Sequence, residues 1–144
     1  GAMKNVLAIA SGVCDGLSLG LNARASLITR GMAETARLGV ALGAEKDTFL
    51  GLAGAGDLFL TTTGELSRNR KVGKEIASGG SLDEILSNLG HVAEGVTNAP
   101  KLLSLGKALS VSLPITKEVC SLLNKKKDAR EALDSLLKRE PSDE

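Results

Sequence analysis

Ser67-Arg68-Asn69-Arg70-Lys71 places three cations behind a serine, ten residues after Gly54-Ala55-Gly56-Asp57. If Ser67 caps a helix, Arg68, Arg70 and Lys71 fall in its first turn, where the aligned peptide dipoles already supply roughly half a positive charge. Backbone N–H groups at that end also lack partners. Cations there cost stability unless an anion offsets them. A phosphate would do so, because the N–H donors point outward and a guanidinium can bond two oxygens at once. These residues therefore suit a phosphorylated ligand; the alternative on local grounds is a solvated helix face.

The glycines around Asp57 mark a loop in which the backbone can bend close to a ligand. Asp57 itself suits either ligand binding or the capping of its own following amides. The loop is not a dinucleotide fingerprint: the third glycine of GxGxxG would fall at Phe59, and no strand–helix–strand unit surrounds it. No GK[ST] follows to make a Walker loop. Cys14, Cys120 and the single His91 have no zinc-ligand spacing, so the thiols read as reduced core residues and His91 as structural.

Eighteen Lys and Arg against 17 Asp and Glu leave a formal charge of +1, which provides no general field for nucleic acid or an anionic membrane. Aromatic residues make up 1% of the chain, too few for base-stacking platforms. A 144-residue chain that is 42% hydrophobic can bury one sizeable core of Leu, Ala, Val and Ile. Asp15 and Arg24 interrupt the N-terminal apolar stretch, so the reading is a cytoplasmic protein without signal peptide or membrane span.

Helices must position these groups. From Lys4 to Gly20, glycines at 12, 16 and 20 line one helical stripe suited to close approach by another backbone. Asn22 reads as the cap of a second helix whose apolar stripe is Leu27, Ile28, Met32, Thr35, Leu38 and Leu42, with Arg30 and Glu34 away from much of it and Gly43 at its end. Asp47 or Thr48 suits a short turn through Leu52. Ser67 then opens a helix through Ala77, Gly79-Gly80 closes it, and Ser81 with Glu84 forms a capping box for Leu82 to Leu89. Thr97 or Asn98 reads as the cap of a helix carrying Leu102, Leu103, Leu105 and Leu109. Pro114 opens the next, and a last amphipathic helix covers Lys125 to Arg139. No segment alternates as a strand does. The fold class is all-α, one compact domain over 1–144 with seven or eight helices.

Several motifs taken together resemble the C-terminal, substrate-binding part of bacterial NAD(P)-dependent glycerol-3-phosphate dehydrogenase. They are Lys4-Asn5-Val6, Gly12-Val13-Cys14-Asp15-Gly16, the segment from Asn22 to Gly31, Gly54-x-Gly56-Asp57-Leu58, Arg68-Asn69-Arg70 and Val92-Ala93-Glu94-Gly95. The resemblance implies the helical fold of the C-terminal domain of 6-phosphogluconate dehydrogenase-like enzymes, with an N-terminal Rossmann domain outside this chain as its partner. It implies interconversion of sn-glycerol 3-phosphate and dihydroxyacetone phosphate with NAD or NADP, a place in glycerophospholipid synthesis, and little activity of this chain alone. By the same resemblance Lys4 is the proton acceptor, and Lys4, Asn5, Asp57, Thr61, Ser67, Arg68 and Asn69 bind substrate. Arg68, Val92 and Glu94 contact the cofactor.

The residue types make sense for that reaction. Oxidising a secondary alcohol needs a base that takes the hydroxyl proton as hydride leaves, and returns it in the reducing direction. A lysine serves if burial or a nearby cation lets it shed its proton near neutral pH. A carboxylate such as Asp57 acts in the opposite sense, so Asp57 reads as a binding group. Two other function classes fit the composition: a non-catalytic helical oligomerisation or regulatory module, and the substrate domain of a related hydroxyacid dehydrogenase. A homodimer is compatible with the helical stripes.

Overall fold

A computed structural model describes residues 2–43, 64–90 and 93–138, which form seven helices and no strand. These are α1 (Ala2–Gly16), α2 (Gly20–Ala41), α3 (Gly64–Ala77), α4 (Leu82–Leu89), α5 (Glu94–Leu109), α6 (Pro114–Leu123) and α7 (Ala129–Leu137). The readings at Asp47, Thr48, Asp57, Thr61, His91 and Val92 lie outside the described residues.

Helix α1 is the axis of the fold. Val6, Leu7, Ile9, Ala10, Val13 and Cys14 are buried around its whole circumference, the pattern of a helix enclosed by others. It packs chiefly on α3, and also on α5, α2 and α6. The contact with α3 is backbone on backbone. A Cβ at Gly12 would land on the carbonyl of Arg70, and one at Gly73 on the carbonyl of Ile9. One at Gly16 would lie 2.6 Å from Ala77 Cβ and 2.8 Å from the Lys74 carbonyl. The expected stripe thus serves close approach at two of its three glycines. Gly20 instead opens α2 at φ +85° with open space around it. Gly73, to which the sequence reading gave no role, completes the contact from the other side.

Helix ends agree with expectation where the capping chemistry is local. Ser81 Oγ accepts from the Glu84 N–H at 3.2 Å, Gly90 takes φ +72° after α4, and Pro114 is the first residue of α6. Other ends differ. Helix α2 begins at Gly20 with Asn22 inside it, and α5 begins at Glu94 with Thr97 and Asn98 inside it. The last helix begins only at Ala129, capped by Asp128 Oδ1 accepting from the Glu131 N–H at 2.8 Å.

The buried face of α2 also differs from its apolar stripe. Leu27 and Leu38 are buried, but Leu42 is 60% exposed, while Arg30 and Glu34 lie in the core. Both polar residues satisfy ends of other helices. Glu34 Oε1 accepts from the Ile115 N–H at 2.7 Å, and Oε2 accepts from Thr116 N–H at 3.0 Å and Thr116 Oγ1 at 2.7 Å. A carboxylate thereby caps α6, whose preceding residue, Leu113, has no side chain able to do so. Arg30 Nη2 reaches the Leu137 carbonyl at the end of α7, at 3.4 Å. Burial pushes the Glu34 carboxyl above its ordinary range, against the pull of Thr116, Ile115 and Arg37. Glu34→Ala strands three donors, and should cost about 3–5 kcal/mol. For a chain of this size that is a fall of roughly 10 °C in melting temperature, readable by circular dichroism. An unchanged melting curve would show that α6 needs no cap from α2.

Candidate active site

Three helices meet at one corner. Asn5, the fourth residue of α1, is 3% exposed, and its Nδ2 donates to Glu65 Oε1 of α3 at 2.7 Å and to Asn98 Oδ1 of α5 at 3.1 Å. Asn69 is fully buried between α3 and α5. Its Nδ2 donates to the Glu65 carbonyl at 2.9 Å, and its Oδ1 accepts the N–H of Gly95 at 2.9 Å. Asn69 is thus the cap of α5, supplied from another helix because Ala93 has no side chain able to cap. Gly95 permits this approach: a Cβ there would lie 2.6 Å from Asn69 Oδ1 and 2.8 Å from the Asn5 carbonyl.

The N-terminal end of α5, with the positive end of its dipole, opens on this corner, a feature that suits an anion. Two carboxyls occupy it. The hydrogen bond from Asn5, and next one shared with Glu94, hold Glu65 below the ordinary carboxylate range. That same shared bond, with the negative charge of Glu65, raises Glu94. Arg68 lowers both.

Helix α3 begins at Gly64, three residues before the expected cap, so Ser67 is an exposed residue of its first turn and Arg68 starts its second. The guanidinium nevertheless folds back to the helix start, with Nη1 3.3 Å from where a Cβ on Gly64 would stand. Arg70 turns away from this end. Its Nη2 pairs with Asp15 Oδ2 at 2.6 Å, and Arg24 joins the same carboxylate at 3.2 Å. Of the three cations, Arg68 faces the corner, Arg70 is a structural tie to α1, and Lys71 is exposed.

Lys4 is exposed on α1, about 100° around the helix from Asn5. The structure thus gathers Asn5, Arg68, Asn69 and Glu94, with Lys4 beside Asn5 and Ser67 exposed on the first turn of α3. Glu65 and Asn98 were not anticipated. Their signal was available: Glu65 is one turn from Asn69 and Asn98 one turn from Glu94, each on a shared helix face. Cys14 and Cys120 are separate, free and buried, and burial raises both thiols. Among the described residues no three His, Cys, Asp or Glu gather as metal ligands, and no helix is long and apolar enough to cross a membrane.

The helical fold recurs in a solved dehydrogenase. The chain superposes on the crystal structure of glycerol-3-phosphate dehydrogenase from Coxiella burnetii with a TM-score of 0.87 and 42% identity, over 96% of this chain and 43% of that one. It shares its fold with the enzyme of the same name from Saccharomyces cerevisiae, at TM-score 0.73 and 23% identity over 96% and 41% of the two chains. The sequence profile described as NAD-dependent glycerol-3-phosphate dehydrogenase C-terminus matches residues 1–134, and the chain belongs to that family. The glycerol-3-phosphate dehydrogenase (NAD(P)+) of Cupriavidus pinatubonensis is 58% identical over 144 residues, all of this chain and 42% of that protein. That of Polaromonas naphthalenivorans is 59% identical over 144 residues, all of this chain and 41% of that protein. The chain thus spans less than half the length of the relatives it matches.

Proposed function

We propose that this chain is the helical domain, over 1–144, of a longer NAD- or NADP-dependent enzyme interconverting sn-glycerol 3-phosphate and dihydroxyacetone phosphate, with the nucleotide held mainly by a separate Rossmann domain. The observation that carries this reading is the joining of three helices through Asn5, Glu65, Asn98, Asn69 and Gly95, in a chain of this family. Arg68 and the first-turn amides of α3 supply the grip on the phosphate. Lys4 exchanges the proton of the C2 oxygen, and Asn5, Asp57, Thr61, Ser67 and Asn69 complete the substrate contacts. The side-chain amide of Asn69 is already bonded at both ends, which leaves its contribution to be one of placing α5 against α3.

The nicotinamide supplies or accepts the hydride when bound. Arg68 and Glu94 fit the nucleotide's polar groups from this side, a donor for its phosphates and an acceptor for a ribose hydroxyl, and Val92 lies two residues before Glu94. Leu21 and Val40 on α2, and Leu42 just after it, are the large apolar side chains exposed among the described residues. They offer surface to the rest of the enzyme or to a second copy.

The test is NADH oxidation with dihydroxyacetone phosphate by the full-length enzyme and its Arg68→Ala variant. Charge-assisted bonds to the phosphate are worth about 1.5–3 kcal/mol, so KM should rise roughly 10- to 100-fold. No oxidation by the parent enzyme, or an unchanged KM in the variant, would overturn the substrate or the Arg68 assignment respectively.

A further inference from the structure

An asparagine amide has chemically opposite ends, and the orientation of Asn5 is decided by its neighbours. Both hydrogens of Nδ2 are used, one on Glu65 Oε1 and one on Asn98 Oδ1. Flipping the amide would set Oδ1 against the Glu65 carboxylate, which has no hydrogen to offer, and forfeit that bond, about 1–3 kcal/mol for the acceptor left unpaired; the Asn98 amide, which has a donor end of its own, follows the choice that Glu65 makes. At 3% exposure there is no water in quantity to make up the loss. The acceptors come from α3 and α5, so the orientation depends on how those helices seat against α1.

We propose that Glu65 is a positioning residue that, with Asn98 as the second partner, holds Asn5 with its carbonyl oxygen as the group offered to substrate, making Asn5 an acceptor for the free primary hydroxyl of the triose phosphate. This rests on the substrate reading above. The chemistry selects that hydroxyl. An acceptor cannot bond the C2 oxygen of the ketone, which has no hydrogen. The primary hydroxyl is a donor in both the alcohol and the ketone, so a fixed acceptor remains paired through the whole reaction. A freely flipping amide would present its donor end for part of the time and lose that selectivity.

The experiment compares dihydroxyacetone phosphate with hydroxyacetone phosphate, which keeps the ketone and phosphate but lacks the hydroxyl. Both are assayed on the full-length enzyme and on Glu65→Ala/Asn98→Ala, Glu65→Ala, Glu65→Gln and Asn5→Ala variants. A site built around a substrate hydroxyl rejects the analogue lacking it. In the double variant, kcat/KM for dihydroxyacetone phosphate should fall by roughly 10- to 100-fold, while that for the deoxy analogue moves less than about threefold. Glu65→Gln keeps an acceptor oxygen and should retain the parent's discrimination. Global damage would lower both substrates alike, and that outcome overturns the proposal. If the double variant does not fold, Glu65→Ala against Glu65→Gln gives the same comparison at a partly exposed position. Discrimination lost in Asn5→Ala but retained in the alanine variants of Glu65 and Asn98 removes the positioning role alone. Discrimination retained in Asn5→Ala removes Asn5 from the substrate site and the proposal with it.

Discussion

Lys4→Ala in the full-length enzyme is expected to lower kcat for dihydroxyacetone phosphate reduction by about 10²- to 10⁴-fold, the contribution of a well-placed proton donor or acceptor. KM should change by less than about fivefold, because the phosphate is held at α3 and Arg68, and a loss confined to kcat marks an interaction made in the transition state. Lys4 is exposed on α1 in this chain, so its truncation removes no packing within the helical domain, and the melting temperature of the 144-residue chain should stay within about 2 °C. Lys4→Arg separates charge from proton exchange. It keeps the cation but cannot give up a proton near neutral pH, so it should be nearly as slow as the alanine variant. Turnover within threefold of the parent for Lys4→Ala would take Lys4 out of the chemistry, and full activity of Lys4→Arg would reduce its role to charge.

The parts of this fold legible in the sequence are those whose causes are local. Ser81 and Glu84 are three residues apart and cap their own helix, and Pro114 fits only the first turn of α6. The parts that were not legible have their causes across the fold. Helix α5 begins at Glu94 although Ala93 cannot cap, because Asn69 of α3 supplies the oxygen. Helix α6 takes its cap from Glu34, and that is why an acid away from the apolar stripe of α2 is buried in the core. Ser67 had the chemistry of a cap, but α3 begins at Gly64 with its starting turn against Asn5 of α1.

The same distinction applies to the site. The pattern of Lys4-Asn5, Ser67-Arg68-Asn69 and Val92-x-Glu94 was readable as a family resemblance. That Glu65 and Asn98 both turn toward Asn5 is a property of how three helices cross, and spacing along one chain does not contain it. Arg70 illustrates the converse. By type and position it belonged with Arg68, yet Asp15 on the facing helix claims it at 2.6 Å, so α3 divides its cations between ligand and scaffold.

That crossing makes Gly73→Ala a strongly damaging substitution for the fold. Intrinsic propensity has the opposite sign, since alanine in a helix interior is favoured over glycine by about 1 kcal/mol. Tertiary geometry overrides it. The new methyl would occupy the space of the Ile9 backbone carbonyl, with the Val13 nitrogen 2.9 Å away, and neither can turn aside as a flexible side chain would. The two helices must separate, and separation opens the whole α1–α3 face, including the reciprocal contact of Gly12 with the Arg70 carbonyl. Overpacking of this kind costs about 3 kcal/mol or more, a large share of the 5–15 kcal/mol typical of a domain. The melting temperature should fall by roughly 10 °C or the protein should fail to fold, and because Asn5 and Glu65 sit on the two separating helices, any folded fraction should lose activity as well. Gly79→Ala is the control: its φ of +91° carries strain but open space surrounds it, so only about 1 kcal/mol is at stake. A Gly73→Ala protein that melts at or above the parent would mean that α1 and α3 do not touch backbone to backbone, and the corner built on their crossing would lose its frame.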